Sequence, residues 1–320
     1  MAKALTNQEV IQKAAIVLND LNTAGRLNEE QSTTFIRMLI DQPTIMGEAR
    51  TVHFNGDRKK LEKIGIGQRV LHGAEENVAL AEGKQTKPSF DKVSLECKEF
   101  IAEIEITDDT LENNIEGTSI EDTIMNLLAQ RVSLDIEELI INGDTAILPA
   151  TDDFLSVLSG IRKQATSHIV DWNKAAVSKE MFKAAKKAMP AKYRRAGRDM
   201  RFYVSDDIEI EWIDALANRT TGQGDATLLS GNVPPAYGIP VKGIAMLTEY
   251  NAGTAEVPVM VSDAILTHPQ NVVIGISRDI RVEADRDIRR RVNFIVLTLK
   301  MDVKFEEEDA VVKVTKILQN

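Results

Sequence analysis

Residues 118–144 read TSIEDTIMNLLAQRVSLDIEELIINGD, and this stretch decides the architecture. Thr118 and Glu121 have the spacing of a capping box, in which a hydroxyl and a carboxylate satisfy the first free amides of a helix reciprocally. Ile120, Ile124, Leu127, Leu128, Val132, Ile136, Leu139 and Ile140 then recur at helical spacing. Roughly six turns at 1.5 Å per residue predict a straight strut of about 35 Å. Asn142-Gly143-Asp144 ends it.

Toward the C-terminus the period changes from helical to two. Ile295, Leu297, Leu299, Met301, Val303 and Phe305 alternate with Phe294, Val296, Thr298, Lys300, Asp302 and Lys304, which predicts a strand long for a compact domain. The acidic turn Glu306 to Asp309 separates it from a last strand, Val311 to Ile317. Between strut and strand, about 150–275, helix and strand signals mix. Ser178 to Met189 reads as a helix stopped by Pro190, and Ile208 to Leu216 as another. Phe202 to Val204, Val257 to Ser262 and Asn271 to Ile276 read as strands, and Ala217 to Asn232 as a polar loop.

Toward the N-terminus, residues 49–107 read as β. Arg50 to Phe54 and Arg69 to Leu71 are short strands, with the turn signal Asn55-Gly56-Asp57 after the first. Val93, Leu95 and Cys97 share one phase, and Phe100, Ala102, Ile104 and Ile106 the other, so a bulge near Lys98-Glu99 is expected. Long strands flanking the weakly apolar stretch His72 to Pro88 suggest an extended β-arm. Such an arm is not stable alone and must lie on something. The first ~45 residues read as two amphipathic helices. Thr6 caps one, Asn28 caps the other, and Pro43 ends the second.

The chemistry of an enzyme is missing. The four histidines are scattered, the single cysteine excludes an intrachain disulfide and fits a reducing compartment, and no nucleophile elbow or Walker lysine loop appears. Gly65-Ile66-Gly67 and Gly222-Gln223-Gly224 each begin a phosphate-loop pattern and lack its third glycine. Cys97 in a strand reads as a packed thiol. With 39 Lys and Arg against 49 Asp and Glu, the net charge of −10 argues against a dedicated nucleic-acid clamp. No apolar run approaches the ~18–20 residues a membrane helix needs. A basic cluster, Lys183, Lys186, Lys187, Lys192, Arg194, Arg195, Arg198 and Arg201, reads as a solvated face and inter-subunit edge, or as a contact with DNA or an acidic partner. Arg278, Arg281, Arg286, Arg289, Arg290 and Arg291 interleave with Asp279, Glu283, Asp285 and Asp287, and alternating signs predict ion pairs within or between subunits.

The order of these pieces resembles the major capsid proteins of tailed bacteriophages with the HK97 fold, over about Ala49 to Ile317. Ala81-Glu82-Gly83 through Lys87-Pro88 looks like the tip of the E-loop. Thr107-Asp108-Asp109 with the strut and its Asn-Gly-Asp stop looks like the spine helix. Gly238-Ile239-Pro240-Val241 looks like a turn of the axial (A) domain. Ser277-Arg278-Asp279 through Arg291, the long strand and Ala310-Val311-Val312 look like the return of the peripheral (P) domain.

The resemblance implies an α+β fold with a helical arm at 1–47, an E-loop β-arm at 48–107 and a P-domain with the spine helix at 108–151. An A-domain at 152–276, a P-domain strand at 277–306 and a final strand at 307–320 complete it. It implies a non-enzymatic head protein without cofactor or metal, whose copies join through pentamers and hexamers into an icosahedral shell. That shell, the virion capsid, is assembled in the host cytoplasm around double-stranded DNA held without specific binding and without a membrane. A scaffolding protein, a portal and decoration proteins are the implied partners, and turns near Gly65, Gly67 and Gly143 the implied hinges. Lys84, Lys87, Arg278, Arg281, Asp285, Arg286, Asp287, Arg289, Arg290 and Arg291 are the implied assembly residues. Some relatives join a tip lysine to an asparagine covalently. Asn293 lies in the matching region, and solvated lysines are the plainer reading. The alternatives are an encapsulin-type nanocompartment shell and a soluble enzyme of unknown activity.

Overall fold

A computed structural model describes residues 45–65, 70–73, 88–107, 120–194, 199–217, 233–254, 257–277 and 281–319. The two N-terminal helices, the E-loop tip with Lys84 and Lys87, the capping residue Thr118, Arg278 and residues 218–232 of the polar loop lie outside the described residues, as does the Glu121 side chain.

Two sheets and one arm organise the chain. The elements of the first sheet and the arm are α1 (Ile45–Glu48), β1 (Arg50–Phe54), β2 (Arg58–Gly65), β3 (Ser89–Glu96), β4 (Lys98–Thr107) and the long helix α2 (Ile120–Asn142). The second sheet is built from α3 (Ile161–Gln164), β5 (Ile169–Asp171), α4 (Lys179–Ala188), α5 (Ala191–Arg194), β6 (Arg201–Val204), α6 (Asp206–Ala217), β7 (Val241–Gly243), β8 (Tyr250–Asn251) and β9 (Met260–Thr267). The chain then returns to the first sheet through β10 (Val272–Ser277), β11 (Arg281–Asp287) and β12 (Val292–Phe305), and ends in the second with β13 (Val312–Leu318).

The 14-residue β12 is the axis of the first sheet. One of its edges pairs antiparallel with β10 and β11 in series, and the other with β4 from Val292↔Thr107 to Met301↔Lys98. Strand β1 extends the sheet in parallel beside β10. The predicted alternation holds: Ile295, Leu297, Leu299, Met301, Val303 and Phe305 are all buried. They share a core with Leu128, Val132, Ile136, Leu139, Ile140 and Ile141 of α2. Neither partner buries its apolar side alone; each covers the other.

The second sheet runs β5-β13-β9-β6-β7, with β8 added on β9. Residues Val261–Thr267 of β9 are all buried. Both faces are covered, so the run carries no period-two signal, and the sequence places this strand too early, at 257–262. Its separate core gathers around Met181, Phe182, Phe202, Val204, Ile208 and Trp212.

Further expectations are corrected. Val70 and Leu71 carry no strand. Strand β2, with its run Arg58-Lys59-Lys60, was not expected, because charged side chains hide its alternation. In the sequence strand β11 shows only as a charge pattern. Close approach of the backbone requires glycine at Gly143: a Cβ there would sit 2.6 Å from the Leu158 carbonyl oxygen and 2.7 Å from that of Leu139. The helix ends because the backbone of 155–160 closes on it, with Asp144 N donating to Leu155 O at 2.9 Å and Gly160 N to Gly143 O at 2.7 Å.

Candidate assembly interface

The arm comes first. Strands β2 and β3 pair antiparallel from Arg58↔Glu96 to Gly65↔Ser89. Alternation sorts their side chains. Lys59, Leu61, Lys63, Val93 and Leu95 share the face turned to the body, where Lys63 Nζ reaches Glu306 O and Glu307 Oε2. The other face carries Arg58–Glu96 and Lys92–Glu62 ion pairs at 3.5 and 2.9 Å and, at its far end, the cross-strand pair Ile64↔Phe90. Ile64 is 71% and Phe90 63% exposed, a side-by-side apolar pair in water.

The arm's root is clamped. The phase change falls at Cys97, one position earlier than expected, and it is not a bulge: the chain changes partner there, from β2 along β3 to β12 along β4. Buried Asp302 of β12 accepts from Glu96 N at 2.7 Å and from Val303 N at 2.9 Å. Lys300 Nζ donates to Asp57 Oδ1 at 3.0 Å, and Cys97 N to Asp57 O at 2.9 Å. A cleft of about 670 Å³ at this root is lined by Asp57, Arg58, Glu96, Cys97, Lys98, Glu99 and Lys300. Burial pushes the Cys97 thiol up to about 11, so it is a packed thiol and a poor nucleophile.

The arginine-rich return forms the β11–β12 hairpin. Asp287 Oδ1 accepts from Arg289 N at 2.8 Å and Arg290 N at 3.3 Å, and Asp285 Oδ1 from Arg286 N at 2.8 Å. These carboxylates order the turn's backbone. Arg290 pairs instead with Glu105 of β4 at 2.7 Å and lies 5.4 Å from the Phe294 ring. Arg289 is exposed, as is Ile288 between the basic residues. Arg291 closes the hairpin at φ 55°, a region costly for a residue with a Cβ. Arg281 is described by its backbone alone, opposite Thr298. Glu105 was missed from sequence, being 185 residues away.

The basic cluster divides. Lys179, Lys183 and Lys187 line an exposed stripe of α4, while Lys186 Nζ donates to Tyr237 O at 2.7 Å. Arg194 caps the Met189 and Lys187 carbonyls. Arg195 and Arg198 lie outside the described residues. Helix α6 opens with Asp206, Asp207 and Glu209 at its positive end, and Ser205 Oγ accepts from Ile208 N at 3.3 Å. This Ser-Asp-Asp signal explains why the helix starts two residues before the expected Ile208.

A buried acid joins α2 to α1: Glu137 Oε1 accepts from Ile45 N at 3.2 Å. Burial holds this carboxyl above the usual range, outweighing the amide and Lys242. A raised folded-state pKa favours folding below the unfolded value and loses that contribution as pH rises through the raised one. Glu137→Gln keeps an acceptor and removes the buried charge. Its melting temperature is expected to match the native chain's in acid and exceed it at pH 7; equal melting temperatures at both pH values would contradict this.

Among the described residues no group of three or more His, Cys, Asp or Glu side chains is placed to hold a metal, and no helix is long and apolar enough to cross a membrane. The sequence profile of the phage capsid family matches residues 25–315. The chain belongs to the phage capsid family. It is 50% identical over 313 residues to a protein of Bacillus subtilis (strain 168) named as the prophage capsid protein YqbE, covering 98% of this chain and 99% of that one. A chain of the satellite phage P4 procapsid, solved with its size determination protein, matches with a TM-score of 0.66 at 16% identity, over 98% of both chains. A capsid chain of the native GTA particle matches with a TM-score of 0.62 at 14% identity, over 86% of this chain and 90% of that one. At such identities the structures speak for the fold alone, and it is the α+β HK97-type fold. The protein is a major capsid protein, a structural component of the virion shell and not an enzyme. The encapsulin and soluble-enzyme alternatives give way to this membership.

Proposed function

We propose that copies of this capsid protein join into five- and six-membered rings that close an icosahedral shell around double-stranded DNA, each arm lying on a neighbour. The observation that carries this reading is the Ile64–Phe90 pair, exposed on the arm face turned away from its own chain. Helix α2 with the first sheet serves as the P-domain and the second sheet as the A-domain. A matching surface exists on the outer face of the first sheet. There half-buried Phe294 and Val296 and exposed Ile101 form an apolar stripe bordered by Glu99, Glu103 and Glu105. The arginines of the β11–β12 hairpin set register at the same edge, where charge pairs steer more than they bind. A scaffolding protein, a portal and decoration proteins complete the particle, and a chain of net charge −10 encloses DNA without gripping it.

Ile64→Asp with Phe90→Asp tests it. Burying each side chain is worth about 1.5–3 kcal/mol, repeated at every arm. The native chain is expected to give rings or closed shells by size exclusion and negative-stain electron microscopy. The variant is expected to keep its circular dichroism and melting temperature and to lose shells at least tenfold. Unchanged shell yield in the folded variant would rule out the arm contact.

A further inference from the structure

The two ends of the second sheet carry helices with exposed stripes of opposite charge and similar length. Helix α4 packs over β13 and β5, and α6 beside β7, at opposite ends of the row β5-β13-β9-β6-β7. The two helices meet over the sheet through their buried sides, the Phe182 ring 4.7 Å from that of Trp212, and carry their charged stripes on their exposed sides. On α4, Lys179, Lys183 and Lys187 stand four residues apart on one exposed face, a line of about 12 Å. On α6, Asp207, Ile210 and Asp214 stand three and four apart, a line of about 10 Å, with Asp206 beside them. At the centre of the acidic line Ile210 is 64% exposed. Glu249 lies beside Asp207, and desolvation and that neighbouring carboxyl hold its own carboxyl above the usual range.

We propose that these edges recognise each other between copies, the lysine stripe of α4 on one subunit seating against the acidic stripe of α6 on the next, head to tail around each ring. This rests on the ring reading above. Closed rings of five or six require a heterologous contact, hence two different and complementary patches on one chain. Here the chain supplies both, similar in length and opposite in sign, with Ile210 as the apolar centre of the contact. Exposed ion pairs each contribute little, so the stripes select the partner edge and its polarity more than they fix the affinity. DNA is the weaker candidate for the lysine stripe. Three lysines on a chain of net charge −10 give only a salt-labile phosphate contact, and DNA has no use for the acidic stripe.

Three charge-reversed chains test this: Lys183→Glu with Lys187→Glu, Asp207→Lys with Asp214→Lys, and all four together. Each is first checked for native circular dichroism and melting. Ring and shell yield at about 0.1 M salt is expected to fall at least tenfold in each two-site variant and to return to within about threefold in the four-site chain. Mixing the two two-site variants in equal amounts is expected to give six-membered rings, sheets or tubes but no closed shells, because alternating subunits cannot close a five-membered ring. Should reversal at a site unfold the chain, Lys183→Gln with Lys187→Gln is read instead, with the same loss expected and a flatter salt dependence. Two-site variants that assemble like the native chain overturn the inference while leaving the ring reading intact. Normal assembly with reduced retention of double-stranded DNA assigns the lysines to DNA instead and equally overturns it. A native chain that forms neither rings nor shells overturns the ring reading, and the edge pairing with it.

Discussion

Asp263→Ala is expected to lose about 3–5 kcal/mol of stability, the cost of leaving two partly buried cations without their buried counter-charge. Asp263 projects from β9 with only 4% of its side chain exposed. Its Oδ2 accepts from Arg162 Nε at 2.7 Å, and Oδ1 from Tyr250 O–H at 2.9 Å and Lys316 N at 3.4 Å. Lys313 Nζ stands 3.9 Å away and donates to Arg162 O at 2.9 Å. Arg162 also donates to Asn142 Oδ1 at 3.2 Å and Thr248 O at 3.0 Å and stacks on the Tyr250 ring, its Cζ 4.8 Å from the centroid. One carboxylate thus ties the end of the long helix to the second sheet. Burial, and then the carboxylate, push the Tyr250 phenol up to about 12, so it remains a donor across the working range.

The variant's pH profile separates this electrostatic account from simple loss of packing. Burial already lowers the Lys313 pKa, and Asp263 opposes that shift. A lysine whose folded-state pKa is lowered binds fewer protons folded than unfolded, so stability rises with pH through that range. Without Asp263 the shift deepens, and the deficit of the variant in urea denaturation is expected to shrink as pH rises from 7 toward 10. Arg162 keeps its charge throughout, so part of the deficit remains. Asp263→Asn, which keeps an acceptor, is expected to lose less than the alanine variant. A deficit independent of pH would mean that the cost is volume alone.

The parts of this molecule that sequence reveals are those in which one face is wet and the other dry. Strand β12 and helix α2 announce themselves because each shows the core a single stripe. Strand β9 does not, since both of its faces are covered. Nor does β2, whose charged side chains pair across the arm and with Glu307. Long-range polar links are silent for another reason. Arg162 and Asp263 are 101 residues apart, and Arg290 and Glu105 185, so no local spacing records them. The lysine stripe of α4 is visible as composition, whereas its acidic counterpart on α6 gains meaning only once strand order puts the two helices at opposite edges. The aspartates of the arginine-rich return illustrate the reverse. They read as ion-pair partners by composition, yet Asp287 spends an oxygen on two backbone amides of the following turn, and Asp285 one on the next amide along β11.

Phe182→Ala is expected to cost about 3–5 kcal/mol and to act on both edges of the second sheet at once. The Phe182 side chain is fully buried, its ring 4.9 Å from Phe202 at 80° and 4.7 Å from Trp212 at 58°. Aromatic pairs, edge-on to Phe202 and tilted to Trp212, add about 0.5–1.5 kcal/mol each beyond area. The three rings belong to α4, β6 and α6, so the aromatic cluster fixes the two charged helices relative to each other across the sheet. Phe182→Leu, which keeps most of the volume, is expected to lose far less stability, under about 1.5 kcal/mol if the site repacks. Hydrogen exchange measured on both variants decides where the loss falls. Faster exchange in the alanine variant is expected in α4, α6 and β6, with the buried strands β10 and β12 of the first sheet unchanged, because the two cores are separate clusters of side chains. Uniform acceleration across both sheets would show instead that the chain unfolds as a single cooperative unit and that the cluster does not position its two helices locally.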